Sequence, residues 1–214
     1  MKNQLFALAF ILSASAHADL LTLAPGTANI SGVNISTGAT AVVDGKTINL
    51  TTVGAGLRKK VVLFKVDVYV AQLMVDDATR FVKSDAGALP SLENVGAVAL
   101  RMDFKFRDVP AAKMSTAFED GFRANGVDTK STALGDFLAK VNAAGDAKQG
   151  GALTILITRN ADGSTKVQYE NLKNGTSTVE VIAGVKQTLH DILAIWLGVP
   201  SDKELGDLKA QILK

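Results

Sequence analysis

Side chains able to do chemistry are sparse in this sequence, which has two histidines, His17 and His190, and no cysteine. Histidine-rich zinc sites, cysteine nucleophiles and most Ser-His-Asp arrangements have little to work with. His190 adjoins Leu189 in an apolar helical stretch and reads as a half-exposed helix residue. Gly54-Ala55-Gly56 lacks the third glycine of a dinucleotide fingerprint and leads into a strand, where that fingerprint requires a helix N-terminus, so no nucleotide site is expected. The adjacent acids Asp76-Asp77 and Glu119-Asp120 diverge on a strand or helix and read as solvated surface. Arg58-Lys59-Lys60 is a basic cluster ahead of a strand. Tyr69 falls by parity opposite Phe64, Val66, Val68 and Val70, beside Lys65 and Asp67. On composition alone the cluster fits a charged turn in water equally well, and the tyrosine fits a half-exposed ring. If that face lines a cavity, the phenol is a polar group at depth, and ligand cavities are typically apolar with a few such groups. No metal site, cofactor or catalytic residue is read from these patterns.

Periodicity supplies the framework that holds these residues. Asp44-Gly45, between Ala41–Val43 and Thr47–Leu50, signals a hairpin. A long strand is expected over Val62 to Val75. A second alternating run sets Val98, Leu100, Met102, Phe104 and Phe106 against Arg101, Asp103 and Lys105. The period then becomes helical, with Asp108 as cap, Pro110 in the first turn, Met114, Phe118 and Phe122 inward, and Asn125-Gly126 as the stop. Another helix buries Leu134, Phe137, Leu138 and Val141. Strands return at Ala152 to Arg159, Thr165 to Leu172 and Thr176 to Val181. A helix with Val185, Leu189, Ile192, Leu193 and Trp196 on one face precedes the break Gly198-Val199-Pro200, and Ser201 with Glu204 forms a capping-box pattern for the last helix. The expected fold is one α+β domain, an antiparallel sheet with helices gathered on one side.

At the N-terminus, Lys2, the apolar run Leu5 to Leu12 and the small-residue close Ala16-His17-Ala18 have the three-part plan of a signal peptide. Cleavage after Ala18 is expected, giving a domain over residues 19–214, soluble, without a stable membrane anchor, and periplasmic. Without cysteine it must fold without disulfides, which its length allows. The net charge of +2 includes Lys2, and the scattered remainder offers no electrostatic footprint for nucleic acid or an anionic membrane.

Gly54-Ala55-Gly56-Leu57-Arg58-Lys59-Lys60, then Phe64-Lys65-Val66 and Tyr69-Val70-Ala71-Gln72-Leu73-Met74, resemble the signature of the chalcone-isomerase-like family. Phe106-Arg107-Asp108-Val109 before Lys113-Met114, Ile195-Trp196-Leu197-Gly198, and Leu205-Gly206-Asp207-Leu208-Lys209 are similar to its helix start and C-terminal tail. The resemblance implies an open-faced β-sandwich, a large antiparallel sheet backed by helices with a ligand cleft between them. In the plant isomerases the matching arginine polarises the chalcone, a threonine lies where Tyr69 stands, and a tyrosine and an asparagine lie where Pro110 and Ala117 stand. A non-catalytic branch binds fatty acids through that arginine and a tyrosine on the next strand, a pairing that Arg58 and Tyr69 resemble. The resemblance therefore implies a binding protein for a fatty acid or similar small amphipathic carboxylate, held by Arg58 and Tyr69, with no cofactor. The alternative it implies is an intramolecular lyase or isomerase acting on an enone or phenolic substrate.

Overall fold

The computed structural model describes residues 19–61 and 63–214. Residues 1–18, expected from the sequence to be a signal peptide, lie outside the described residues. The elements run β1 (Thr22–Ala24), β2 (Asn29–Ile30), β3 (Val33–Asn34), β4 (Gly38–Val43), β5 (Lys46–Val61), β6 (Lys65–Val75), α1 (Ala88–Ser91), β7 (Ala97–Phe104) and β8 (Asp108–Val109). They continue with α2 (Ala111–Ala124), α3 (Thr132–Ala144), β9 (Ala147–Lys148), β10 (Ala152–Arg159), β11 (Thr165–Lys173), β12 (Thr176–Gly184), α4 (Thr188–Leu197) and α5 (Lys203–Ile212). Eight strands form one antiparallel sheet in the order β1-β4-β5-β6-β7-β10-β11-β12. This is the α+β architecture expected from the sequence. No helix among the described residues is long and apolar enough to cross a membrane.

Alternation decides which face each strand gives to the helices. Leu73 and Val75 of β6, Val98, Leu100 and Met102 of β7, and Leu153, Ile155 and Ile157 of β10 meet Phe118 and Phe122 of α2, Phe137 of α3, Trp196 of α4 and Leu208 of α5 in the main core. The other face carries a smaller cluster of Ala39, Ala41, Met74, Ala99 and Leu156, covered by Leu20 and Leu21. The sheet is strongly curled. Lys166 of β11 reaches Asp44, in the β4–β5 turn, at 2.7 Å, although flat strands five places apart would be about 24 Å apart. The Leu20 N–H donates to the buried Glu170 of β11 at 2.8 Å, tying the first described residues across the same gap.

Asp44 and Gly45 have positive φ, which makes the predicted hairpin turn. Four local expectations need correction. Arg58-Lys59-Lys60 is not a charged turn but part of the sixteen-residue strand β5. The strand expected over 62–75 begins at Lys65, leaving Phe64 exposed in the turn. Asp108 belongs to β8, and the carboxylate that accepts the Ala111 N–H at the start of α2 is Asp146, at 3.0 Å. The cap of α5 is Asp202, whose side chain accepts the Leu205 N–H at 2.8 Å, one residue after the expected Ser201.

Candidate functional site

Two irregularities of β5 and β6 set the site. Arg58 pairs with Tyr69 but Lys59 pairs with Asp67, so Val68 is an extra residue bulged on β6. The expected face of Phe64, Val66, Val68 and Val70 is broken there, and Val68 lines the same cavity as its neighbour Tyr69. The Val68 carbonyl accepts the N–H groups of Lys105 and Phe106 at 2.9 and 3.1 Å, which fixes the bulge to the end of β7.

The second feature is the approach of α5 to β5. A side chain at Gly54 would overlap the carbonyl oxygen of Ile212, and one at Gly56 would lie 2.7 Å from Gln211 Cβ and 2.9 Å from Leu208 Cδ1. The alternating glycines are therefore the seat of a helix rather than a phosphate loop. The Leu57 N–H donates to Gln211 Oε1 at 3.0 Å and fastens the contact. Seated this way, α5 carries its cap Asp202 to Arg58.

Arg58 and Tyr69 face one cavity of about 240 Å³ between the sheet and helices α2, α4 and α5. Its walls are Val68, Phe104, Val109, Met114, Ala117, Phe118, Ile195 and Leu205, with Trp196 beside Tyr69; Lys60, Lys113, Asp120, Ser201 and Asp202 complete the lining. At about 30 Å³ per water-sized group, the space takes about eight non-hydrogen groups. The Arg58 guanidinium is buried and donates to Asp202 Oδ2 at 2.5 Å and to the Lys59 carbonyl at 2.8 Å. Lys60 Nζ lies 4.0 Å from the same carboxylate oxygen. The Tyr69 hydroxyl accepts from Trp196 Nε1 at 3.0 Å, which leaves its own proton to donate.

Burial pushes the Asp202 carboxyl up, but hydrogen bonds from Arg58 and the Leu205 N–H, with the charges of Arg58 and Lys60, outweigh it and hold the group below its ordinary value. The pair's contribution to stability is thus present above the ordinary carboxylate range and lost as pH falls through the lowered value. Burial raises the Tyr69 phenol, more than the Trp196 hydrogen bond and the Arg58 charge lower it, so it stays protonated at neutral pH. The cavity can accordingly offer one guanidinium and one neutral hydroxyl to an anionic head, with apolar walls for the hydrocarbon attached to that head.

The two residues singled out in the sequence converge in this cavity. Asp202 and the hydrogen-bonding role of Trp196 were missed. Only the helix break at Pro200 hinted at the first, and the second reads as ordinary helix core. Pro110 caps α2 through its backbone, while Ala117 lies in the cavity wall as an apolar surface. His190 is half-buried on α4, 3.0 Å from the Gln187 side chain, outside this cavity. Among the described residues no acidic, histidine or cysteine cluster is suited to hold a metal ion.

Comparison with solved structures finds similarity to a fatty-acid binding protein of Arabidopsis thaliana, 13% identical, with 81% of this chain and 95% of that chain covered and a TM-score of 0.49. No curated protein matches the chain. The family model described as chalcone isomerase-like matches residues 27–214, which hold the whole cavity and every strand of the main sheet but β1, and the chain belongs to the chalcone isomerase-like family.

Proposed function

We propose that this protein binds a small amphipathic carboxylate of the fatty-acid type in the Arg58–Tyr69 cavity and catalyses no reaction on it. The observation that carries this reading is that the buried Arg58 guanidinium already holds a carboxylate, that of Asp202. A ligand head takes that place by exchange, because guanidinium grips carboxylates with parallel hydrogen bonds and the Tyr69 phenol adds a donor without a competing charge. The volume suits a carboxyl group with a chain of about five carbons, and longer chains extend beyond it. The positions that hold a tyrosine and an asparagine in the plant isomerases are Pro110 and Ala117 here, and neither has a polar side chain. Incubation of the purified protein with chalcones is expected to leave their visible absorbance falling only at the spontaneous rate; turnover above that rate would support the isomerase reading. Mass spectrometry of small molecules released from protein purified out of its native cells is expected to find a carboxylic acid, and a neutral lipid in its place would count against the clamp.

The protein also acts outside the cytoplasm on this reading, through cleavage after Ala18. The support is the sequence of Lys2, Leu5 to Leu12 and Ala16-His17-Ala18. N-terminal sequencing of periplasmic material is expected to begin at Asp19, whereas Met1 in a membrane fraction would contradict both the cleavage and the location.

A further inference from the structure

The tip of the β5–β6 hairpin differs from the rest of the surface. Val61, Leu63 and Phe64 are 56%, 93% and 71% exposed. Lys59 and Lys60 precede them and Lys65 comes directly after. Phe106, 40% exposed, leaves β7 at the same end of the sheet, held there by the Val68 carbonyl and flanked by Lys105 and Arg107. Runs of exposed apolar side chains are unfavourable in water and mark contact surfaces.

The chemistry of this end selects its partner. The apolar side chains form a protruding tip rather than a flat face, and cations stand directly behind them. That is the arrangement in which apolar groups enter the acyl boundary of a bilayer while lysine and arginine meet headgroup phosphates. The nearby acids are largely engaged: Asp67 accepts from Ser31 Oγ at 2.6 Å and lies 3.9 Å from Lys59 Nζ, Asp202 holds Arg58, and Asp108 pairs with Lys148 at 2.9 Å. The low net charge of the whole chain hides this local excess. Lys60 also lines the cavity and immediately precedes Val61, so a tip seated among headgroups brings one lining residue of the cavity to the bilayer surface.

We propose that the β5–β6 tip docks the protein reversibly on bilayers that carry anionic phospholipid. The docking is independent of what the cavity binds, and its test needs no cavity ligand. A chain of residues 19–214, which carries every described strand and helix and lacks the apolar segment Leu5 to Leu12, is floated with vesicles of phosphatidylcholine alone or mixed with phosphatidylglycerol. It is expected to partition at least ~10-fold more onto the anionic vesicles, and to lose that preference at high salt. The double variant Leu63→Ser/Phe64→Ser, altered only at exposed positions, is expected to lose at least ~10-fold of the binding while keeping the wild-type melting temperature. Binding to neither vesicle, equal binding to both, or undiminished binding by the double variant would overturn the proposal. A wild-type dimer in sedimentation velocity that the double variant dissolves would overturn it in favour of a contact between two copies of the chain.

Discussion

Gly54→Ala is expected to destabilise the protein by about 3 kcal/mol, because the added methyl falls on the carbonyl oxygen of Ile212 and a helix backbone cannot yield as a side-chain end can. The relief available is for α5 to move off β5, which uncovers Leu205, Leu208 and Ile212 and breaks the Leu57–Gln211 hydrogen bond. The urea midpoint should fall by about 1–2 M. Gly45→Ala is the comparison: nothing lies within 4 Å of its added methyl, but its φ of +74° is left-handed, so a cost of about 1 kcal/mol is expected. A Gly54→Ala midpoint equal to wild type would mean that α5 does not rest on the strand. Because α5 carries Asp202, the displaced helix should also loosen the Arg58 pair.

Arg58→Ala should weaken binding of a medium-chain acid such as octanoate by about 10- to 100-fold, since hydrogen bonds to a charged group contribute about 1.5–3 kcal/mol and each ~1.4 kcal/mol is tenfold in affinity. Tyr69→Phe, which keeps the ring and removes one donor, should cost less. Asp202→Asn moves the other way. Asparagine caps a helix about as well as aspartate, so α5 stays anchored while the internal carboxylate that occupies Arg58 is gone; affinity for the acid should rise several-fold. Lys59→Ala should change little, because its partner Asp67 lies 3.9 Å away on a half-exposed surface. Trp196 is the chain's one tryptophan and donates to Tyr69 at the cavity wall, so its emission reports binding in all four variants. Arg58→Ala with wild-type affinity, or Asp202→Asn with reduced affinity, would contradict exchange at the guanidinium.

Regular alternation made the sheet legible in the sequence. Ala152 to Arg159 is β10 residue for residue, and Thr165 to Leu172 falls one residue short of β11, because both are clean runs bounded by turn signals. The helical faces of Met114, Phe118 and Phe122, and of Leu189, Ile192, Leu193 and Trp196, are buried as their spacing predicts. Val185, placed on the latter face, lies before α4 and is exposed. The site was legible only in part. Parity could not reveal the bulge at Val68, which depends on the ladder with β5. The Arg58–Asp202 pair joins residues 144 apart in sequence and exists because two glycines let α5 close on the strand. The cap of α2 was misplaced because the accepting carboxylate, Asp146, comes from elsewhere in the chain.

Calorimetric titration of the wild-type protein with octanoic acid and with its methyl ester separates a carboxylate clamp from a merely apolar hole, since the two ligands share a chain and differ in the charged head. The acid is expected to bind at least ~10-fold more tightly at neutral pH. Equal affinities, or a tighter ester, would contradict carboxylate recognition by Arg58 and Tyr69.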